Sequence, residues 1–228
     1  MNKYCRKIYY LVKKIELRHS QLSDRQEDAP VLDFLRTLED KKYDYLEVAS
    51  GRGRFALAVR SKFQNFNIRC LEINHDLAVL TSHEGLETIE KNILENGLIS
   101  ETFDIIHASH IVEHFKYPEV TLFLDEMFRL VKKDGYIIIR SPLMHNRFYH
   151  DIDHIRPYPP ESIFNYFFND QQQKVGKNKI RVVKKWYRKT EINIENFSLL
   201  NFLLKILWLV FRFPRSRPNG YVLILQKL

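Results

Sequence analysis

From about residue 43 to residue 140, short apolar runs alternate with stretches whose apolar residues recur at helical spacing. Tyr43 to Val48, Ile68 to Ile73, Phe103 to Ala108 and Gly135 to Arg140 have strand length and strand composition. Between them, Arg54 to Phe63, a segment starting near Asp76, and Glu119 to Val131 read as helices. The near-continuous apolar run Tyr136 to Ile139 suits a strand covered on both faces. This alternation predicts an α/β fold with helices wound around a mostly parallel sheet.

The flanks follow other patterns. Tyr4, Ile8, Leu11, Val12 and Ile15 predict an amphipathic N-terminal helix. The polar stretch SQLSDRQEDAP then predicts a break, with Pro30 opening a second helix through Leu38. After Pro142 comes a loop dense in His, Tyr and Pro, then a helix from Glu161 to Phe168 and a polar surface turn over 171–179. A strand from Ile180 to Tyr187, an apolar helical insertion at about 196–213 and a strand from Gly220 to Gln226 complete the chain. The expected organisation is an N-terminal helical segment over 1–40 and one domain over 41–228.

At 228 residues, 45% of them hydrophobic, the chain is long enough for a substantial core. Its two cysteines, Cys5 and Cys70, exclude a disulfide framework and suit a reducing cytoplasm. Lys13, Lys14 and Glu16 interrupt the N-terminal apolar positions, so no signal-peptide core is present. The net charge of +8 is unevenly placed: residues 1–29 carry 7 basic and 4 acidic groups, residues 30–173 carry 16 and 22, and residues 174–228 carry 13 and 2. A basic segment beside an acidic body suits an anionic partner. The apolar stretch from Phe197 to Phe213 has Lys205 near its middle and falls short of the roughly 20 residues a spanning helix wants. With Arg212, Arg215 and Arg217 following, the segment 197–217 suits peripheral contact with the inner face of a membrane, against the alternatives of packing on the sheet or at a subunit interface in an oligomer.

Candidate chemistry starts at Leu46–Phe55, LEVASGRGRF, where a strand, a glycine-containing turn and a helix start follow directly. Gly51 and Gly53 let the backbone approach a ligand, and Glu72 ends the next strand where a parallel sheet presents a carboxylate to ribose hydroxyls. That is a nucleoside-cofactor geometry. Taken with CLEINHDL, ETIEKNILE, FDIIHASHIVEHF and EMFRLVKKDGYIIIRSP in that order, the chain resembles the class I S-adenosylmethionine-dependent methyltransferases over roughly Tyr43 to Phe168. The resemblance implies a doubly wound, Rossmann-like sheet of seven strands with the last antiparallel, an N-terminal segment over the cofactor cleft, and S-adenosylmethionine as cofactor. It implies further that Ala49, Gly51 and Gly53 lie beneath the methionine part and that Glu47 organises the turn or approaches the amino group. Glu72, with Ile73 beside it, would hold the ribose, Asn92 and Ile93 the adenine, and His107 and Ala108 the methionine end. Ala49 stands where the family has Gly, and Asn92 where it usually has Asp.

An acceptor hydroxyl must lose a proton during methyl transfer, and His114, just past the fourth strand, is the first candidate base. His145, His150, Asp153 and His154 lie in the loop that in this family covers the acceptor, and His154 is the second candidate. The segment Asp153–Tyr158, DHIRPY, resembles methyltransferases associated with surface-polysaccharide assembly, which implies a small-molecule or glycan-linked acceptor methylated at oxygen. His110-x-x-Glu113-His114 also spells a zinc-peptidase pattern, but that chemistry needs both histidines on one helical face. The strand running into the motif argues against it, so no catalytic metal is expected, although six histidines between His107 and His154 leave weak metal binding open. The basic C-terminal quarter raises a nucleic-acid substrate as one alternative, and a catalytically silent protein of the cofactor-binding fold is another. The absence of an Asn-Pro-Pro-Tyr type motif ranks nucleic acid lower.

Overall fold

The computed structural model describes residues 3–38, 41–168, 180–190, 194, 198–213 and 217–228. The turn expected over 171–179 and Arg215 lie outside them. The elements run α1 (Lys3–Arg36), β1 (Tyr43–Val48), α2 (Arg54–Lys62), β2 (Phe66–Glu72), α3 (His75–His83), β3 (Glu87–Glu90), β4 (Phe103–Ser109), α4 (Glu119–Leu130), β5 (Val131–Pro142), α5 (Pro160–Phe168), β6 (Ile180–Arg188), α6 (Ser198–Phe211) and β7 (Gly220–Lys227).

The strands form one seven-stranded sheet in the order β3-β2-β1-β4-β5-β7-β6. The β1, β2, β3, β4 and β5 pairings are parallel, while β7 is antiparallel to both β5 and β6. Strand order reverses between β1 and β4, the position at whose carboxyl ends open α/β sheets bind their ligands, and there Val48 pairs with Ala108. Alternation along each strand sends side chains to two cores. Leu46, Val48, Ile106 and Ile139 face Phe123, Met127 and Phe167 of α4 and α5. Tyr45, Ile105, Ile138 and Ile224 face Leu35 and Val31 of α1 and Phe55 and Val59 of α2.

The N-terminal expectation is corrected: α1 is one 34-residue helix with Pro30 inside it. Proline removes one backbone hydrogen bond, yet tertiary contacts hold the turn on either side. Val31 and Leu35 are buried in the core, and the adjoining polar residues Glu27 and Asp28 make ion pairs to the sheet and to α2. The stretch that looked like a linker is the docking segment of the helix.

Two further differences have local causes. Strand β3 has only four residues, ETIE, too few to show a periodicity. Strand β5 begins at Val131 rather than Gly135, with its register against β4 shifting between Phe103 and Ile105. At Gly135 a side chain would meet the Asp104 carbonyl oxygen at 2.7 Å, so glycine is what lets this irregular edge pack. Helix α6 buries Trp208 and leaves Leu199, Leu203, Val210 and Phe211 exposed. Among the described residues, no helix is long and apolar enough to cross a membrane.

Candidate functional site

The turn after β1 is built by left-handed backbone. Ala49, Gly51 and Gly53 have φ of 53°, 55° and 69°. A side chain at Gly51 would meet nothing within 4 Å, so the outer face of the turn is open. One at Gly53 would press on Leu86 and Thr81 at 3.0 Å. Thr81 donates to the Gly51 carbonyl at 2.9 Å and ties the turn to α3.

Glu72, at the end of β2, is 5% exposed and accepts from the Gly51 amide at 2.7 Å with one oxygen and from the Asn74 amide at 3.0 Å with the other. Each carboxylate oxygen keeps a second lone pair for a ribose hydroxyl. Ile73 beside it is 64% exposed, an apolar side chain in solvent just past the end of β2. Asn92 caps the short helical turn Ile93–Glu95 by accepting from the Leu94 amide at 3.0 Å, which leaves one lone pair on its amide oxygen. The Ile93 side chain belongs to the core, and Ala108 is fully buried. Open space at the glycine turn, a fixed carboxylate, an exposed apolar flank and an amide make a donor set that fits a nucleoside cofactor.

Behind the turn lies a closed polar cluster. The Tyr45 hydroxyl donates to Glu47 Oε2 at 2.5 Å, and His107 Nδ1 lies 2.8 Å from the same oxygen. Burial lowers the His107 pKa despite the neighbouring Glu47 carboxylate, so the ring is neutral, Nδ1–H donates, and Nε2 is a buried lone pair without a partner among the described residues. Burial, followed by the Glu47 charge, raises the Tyr45 phenol well above its ordinary value. Glu47 is thus held between β1 and β4 by Tyr45 and His107, and His107 is 0% exposed.

Sequence reasoning missed the charged seam that joins α1 to the carboxyl edge of the sheet. Arg140 on β5 is 1% exposed, donates to Asp28 at 2.6 Å and lies 4.3 Å from the Phe55 ring. Arg54 donates to the same carboxylate at 2.6 and 3.1 Å. Glu27 pairs with His110 at 2.9 Å and with Arg188 at 2.9 Å. Burial alone would raise the Glu27 pKa, but His110 and the arginines bring it to about 2. Burial opposes charge on His110, but Glu113 and Glu27 raise it to about 9. These partners lie up to 161 residues apart, from Glu27 to Arg188, and only the run of acidic residues in a supposed linker hinted at them.

The H-x-x-E-H segment is not an α-helix. His110 has φ 54° and turns toward α1, while Val112–His114 forms a single 3-10 turn. His114 instead meets His154, with ring centroids 5.0 Å apart in a T-shaped pair. The loop carrying His154 is pinned there: the Ile155 and Arg156 amides donate to the Glu113 carbonyl at 2.9 and 3.2 Å, and the Tyr158 hydroxyl donates to the Phe115 carbonyl at 2.9 Å. His145 does not join the pair; its Nδ1 accepts from the Arg147 amide at 3.1 Å.

Residues 46–139 match the sequence family described as a methyltransferase domain. No curated protein matches the sequence. Among solved structures, an S-adenosylmethionine-dependent methyltransferase from Archaeoglobus fulgidus is 20% identical, with 88% of this chain and 92% of that chain covered and a TM-score of 0.58. Coclaurine N-methyltransferase bound to N-methylheliamine and SAH is 15% identical, with 88% and 72% covered and a TM-score of 0.59. The [4+2]-cyclase SpnF is 11% identical, with 91% and 80% covered and a TM-score of 0.59, so the fold also carries other chemistry. The strand order is that of the fold these solved structures share, and within it residues 46–139, which hold the glycine turn and the acidic end of β2, match a methyltransferase domain.

Proposed function

We propose that this enzyme transfers a methyl group to a hydroxyl oxygen of a small-molecule or glycan-linked acceptor held between the Gly51 turn and the loop around His154. The observation that carries the reading is the meeting of His114 and His154 just beyond the carboxyl end of β4, the strand beside the one that ends in the glycine turn. The bound cofactor supplies an electrophilic methyl group on a sulfonium. The protein's own work is alignment and removal of the acceptor proton. Glu72 and Ile73 take the ribose and its surroundings, Asn92 and the Ile93 amide the adenine, and Gly51 lets the chain lie close to the methionine end. Glu47 and His107 stiffen that turn from below. The His114–His154 pair promotes loss of the hydroxyl proton. The acceptor class follows the resemblance of Asp153–Tyr158 to glycan-associated enzymes.

Helix α6 supports a second element of the proposal, peripheral contact with an anionic membrane. Its exposed leucines and Phe211 stand beside Arg212 and Arg217, an arrangement that suits burial at the headgroup boundary where lipid-linked glycans are found.

Calorimetric titration with S-adenosylhomocysteine tests the centre of the proposal. Binding at micromolar ligand is expected, weakened in Glu72→Ala, and no heat at millimolar ligand would sink it. Radiolabelled methyl transfer into fractionated host lysate then identifies the acceptor: label in polysaccharide or small-molecule fractions supports the reading, and label confined to nucleic acid overturns it.

A further inference from the structure

Glu113, His114 and His154 each offer one ligand atom, and the three atoms all lie within 4.8 Å of one another. His114 Nδ1 lies 3.0 Å from the Asp153 carbonyl oxygen, and His154 Nδ1 lies 2.7 Å from that of Phe148. A carbonyl oxygen only accepts, so in both rings Nδ1 carries a proton, and Nε2 is the nitrogen left to face a ligand. Imidazoles that ligate metals are held in this way, with the far nitrogen tied to an outer acceptor that fixes tautomer and orientation. Glu113 is 0% exposed. One of its oxygens accepts from Ser141 Oγ at 3.1 Å, and the other, Oε1, is buried without a hydrogen bond, its nearest cation being His110 Nδ1 at 3.5 Å.

We propose that Glu113, His114 and His154 bind a divalent transition-metal ion. Three protein ligands leave coordination positions open, as catalytic metal sites do. Metal–ligand bonds of about 2.1 Å put ligand atoms roughly 3.4 Å apart, so binding draws a pair 4.8 Å apart together by about 1.4 Å. His154 sits in a loop, which makes that movement local. Two imidazoles and one carboxylate favour zinc-like ions over magnesium or calcium. Asp151, whose Oδ2 lies 3.7 Å from His154 Nε2, stands exposed at the rim.

The inference rests on the proposed acceptor site and gives the histidine pair its role there. The acceptor hydroxyl binds at an open position, its pKa falls, and its proton leaves to solvent. The oxygen's electron pair then forms the new bond to the methyl carbon as the carbon–sulfur bond breaks, and sulfur keeps those electrons as a neutral thioether. The H-x-x-E-H pattern contributes Glu113 and His114, but the second imidazole comes from His154, 40 residues further on, and not from His110.

Chelator-stripped full-length protein is titrated with Co²⁺ and with Zn²⁺, read by visible absorption and calorimetry, and each sample is also titrated with S-adenosylhomocysteine. One equivalent of metal and a cobalt absorption band are expected. Affinity should fall roughly 100-fold or more in His154→Gln and in His114→Gln, beyond the 10- to 100-fold that outer partners are worth, and stay unchanged in His75→Gln on the opposite edge. Melting curves confirm that each variant is folded, and the two independent histidine variants keep the test decisive. No uptake at millimolar metal, or uptake undiminished in both variants, overturns the site. Homocysteine-analogue binding without metal uptake removes the metal site and leaves the methyltransferase reading standing, whereas metal uptake without it does the reverse.

Discussion

Removing Asp28 should cost more than removing the buried arginine it serves. In Asp28→Asn the Arg54 side chain, 58% exposed, regains water, but Arg140, with 2% of its side chain exposed, cannot. A buried charge stripped of its partner costs about 3–5 kcal/mol, and Glu27 nearby brings the expectation to the lower end, about 3 kcal/mol. Arg140→Met instead leaves Asp28 paired with Arg54 and fills the space over Phe55 with an apolar chain, so about 1 kcal/mol is expected. The double variant should sit near Arg140→Met alone, with a coupling of about 2–3 kcal/mol. Urea unfolding measures all three; at a slope of about 3 kcal/mol/M, Asp28→Asn lowers the midpoint by about 1 M. A double variant as destabilised as the sum of the singles would refute the reasoning, because it would show that Arg140 does not depend on Asp28.

Ala49→Gly should raise stability by about 0.5–1 kcal/mol by relieving the left-handed alanine, whereas Gly53→Ala should lower it by about 1–3 kcal/mol through backbone strain and pressure on Leu86 and Thr81; thermal melts decide both. The Glu27–His110 pair sets a stability optimum in pH. Glu27 falls from 4.5 to about 2 on folding, so its contribution is complete above pH 4.5 and lost toward pH 2; His110 rises from 6.5 to about 9, so its contribution is complete below pH 6.5 and lost toward pH 9. Urea midpoints across pH should therefore crest between about 4.5 and 6.5, and a crest above pH 9 would contradict the pairing. Burial pushes the Cys70 thiol up to about 12, so a thiol reagent should titrate only Cys5 in the native protein and both cysteines after unfolding. Leu203→Glu in α6 should abolish sedimentation with anionic vesicles while leaving S-adenosylhomocysteine binding intact; undiminished sedimentation would remove α6 from the membrane proposal.

The parts legible in the sequence are those set by local pattern. The bounds of β1, Tyr43–Val48, are readable because apolar residues begin and end there, and the glycine turn is readable because its left-handed backbone favours particular residues. The antiparallel β7 came only through the family resemblance. What stayed hidden depends on distant partners. Glu27 and Asp28 look like linker residues until Arg188 and the buried Arg140 are brought to them, and the ion pairs to these two arginines hold α1 helical through Pro30. The metal-ligating set was hidden for a similar reason: spacing pairs His110 with His114, while the positive φ at His110 and a docked loop pair His114 with His154.

The position of β7 also fixes an order of events during synthesis. This strand comes after β6 in the chain yet lies between β5 and β6 in the sheet. Until Gly220–Lys227 has emerged from the ribosome, β6 has no neighbour to join, and the Ile137–Ile139 edge of β5 stands open with unpaired backbone groups. The nascent protein therefore passes through a stage in which a nearly finished parallel half-sheet exposes a sticky apolar border. Closure comes when β6 and β7 zip together across α6 and dock as a hairpin-like unit, so a pause in translation before residue 220 holds the chain in its most aggregation-prone form.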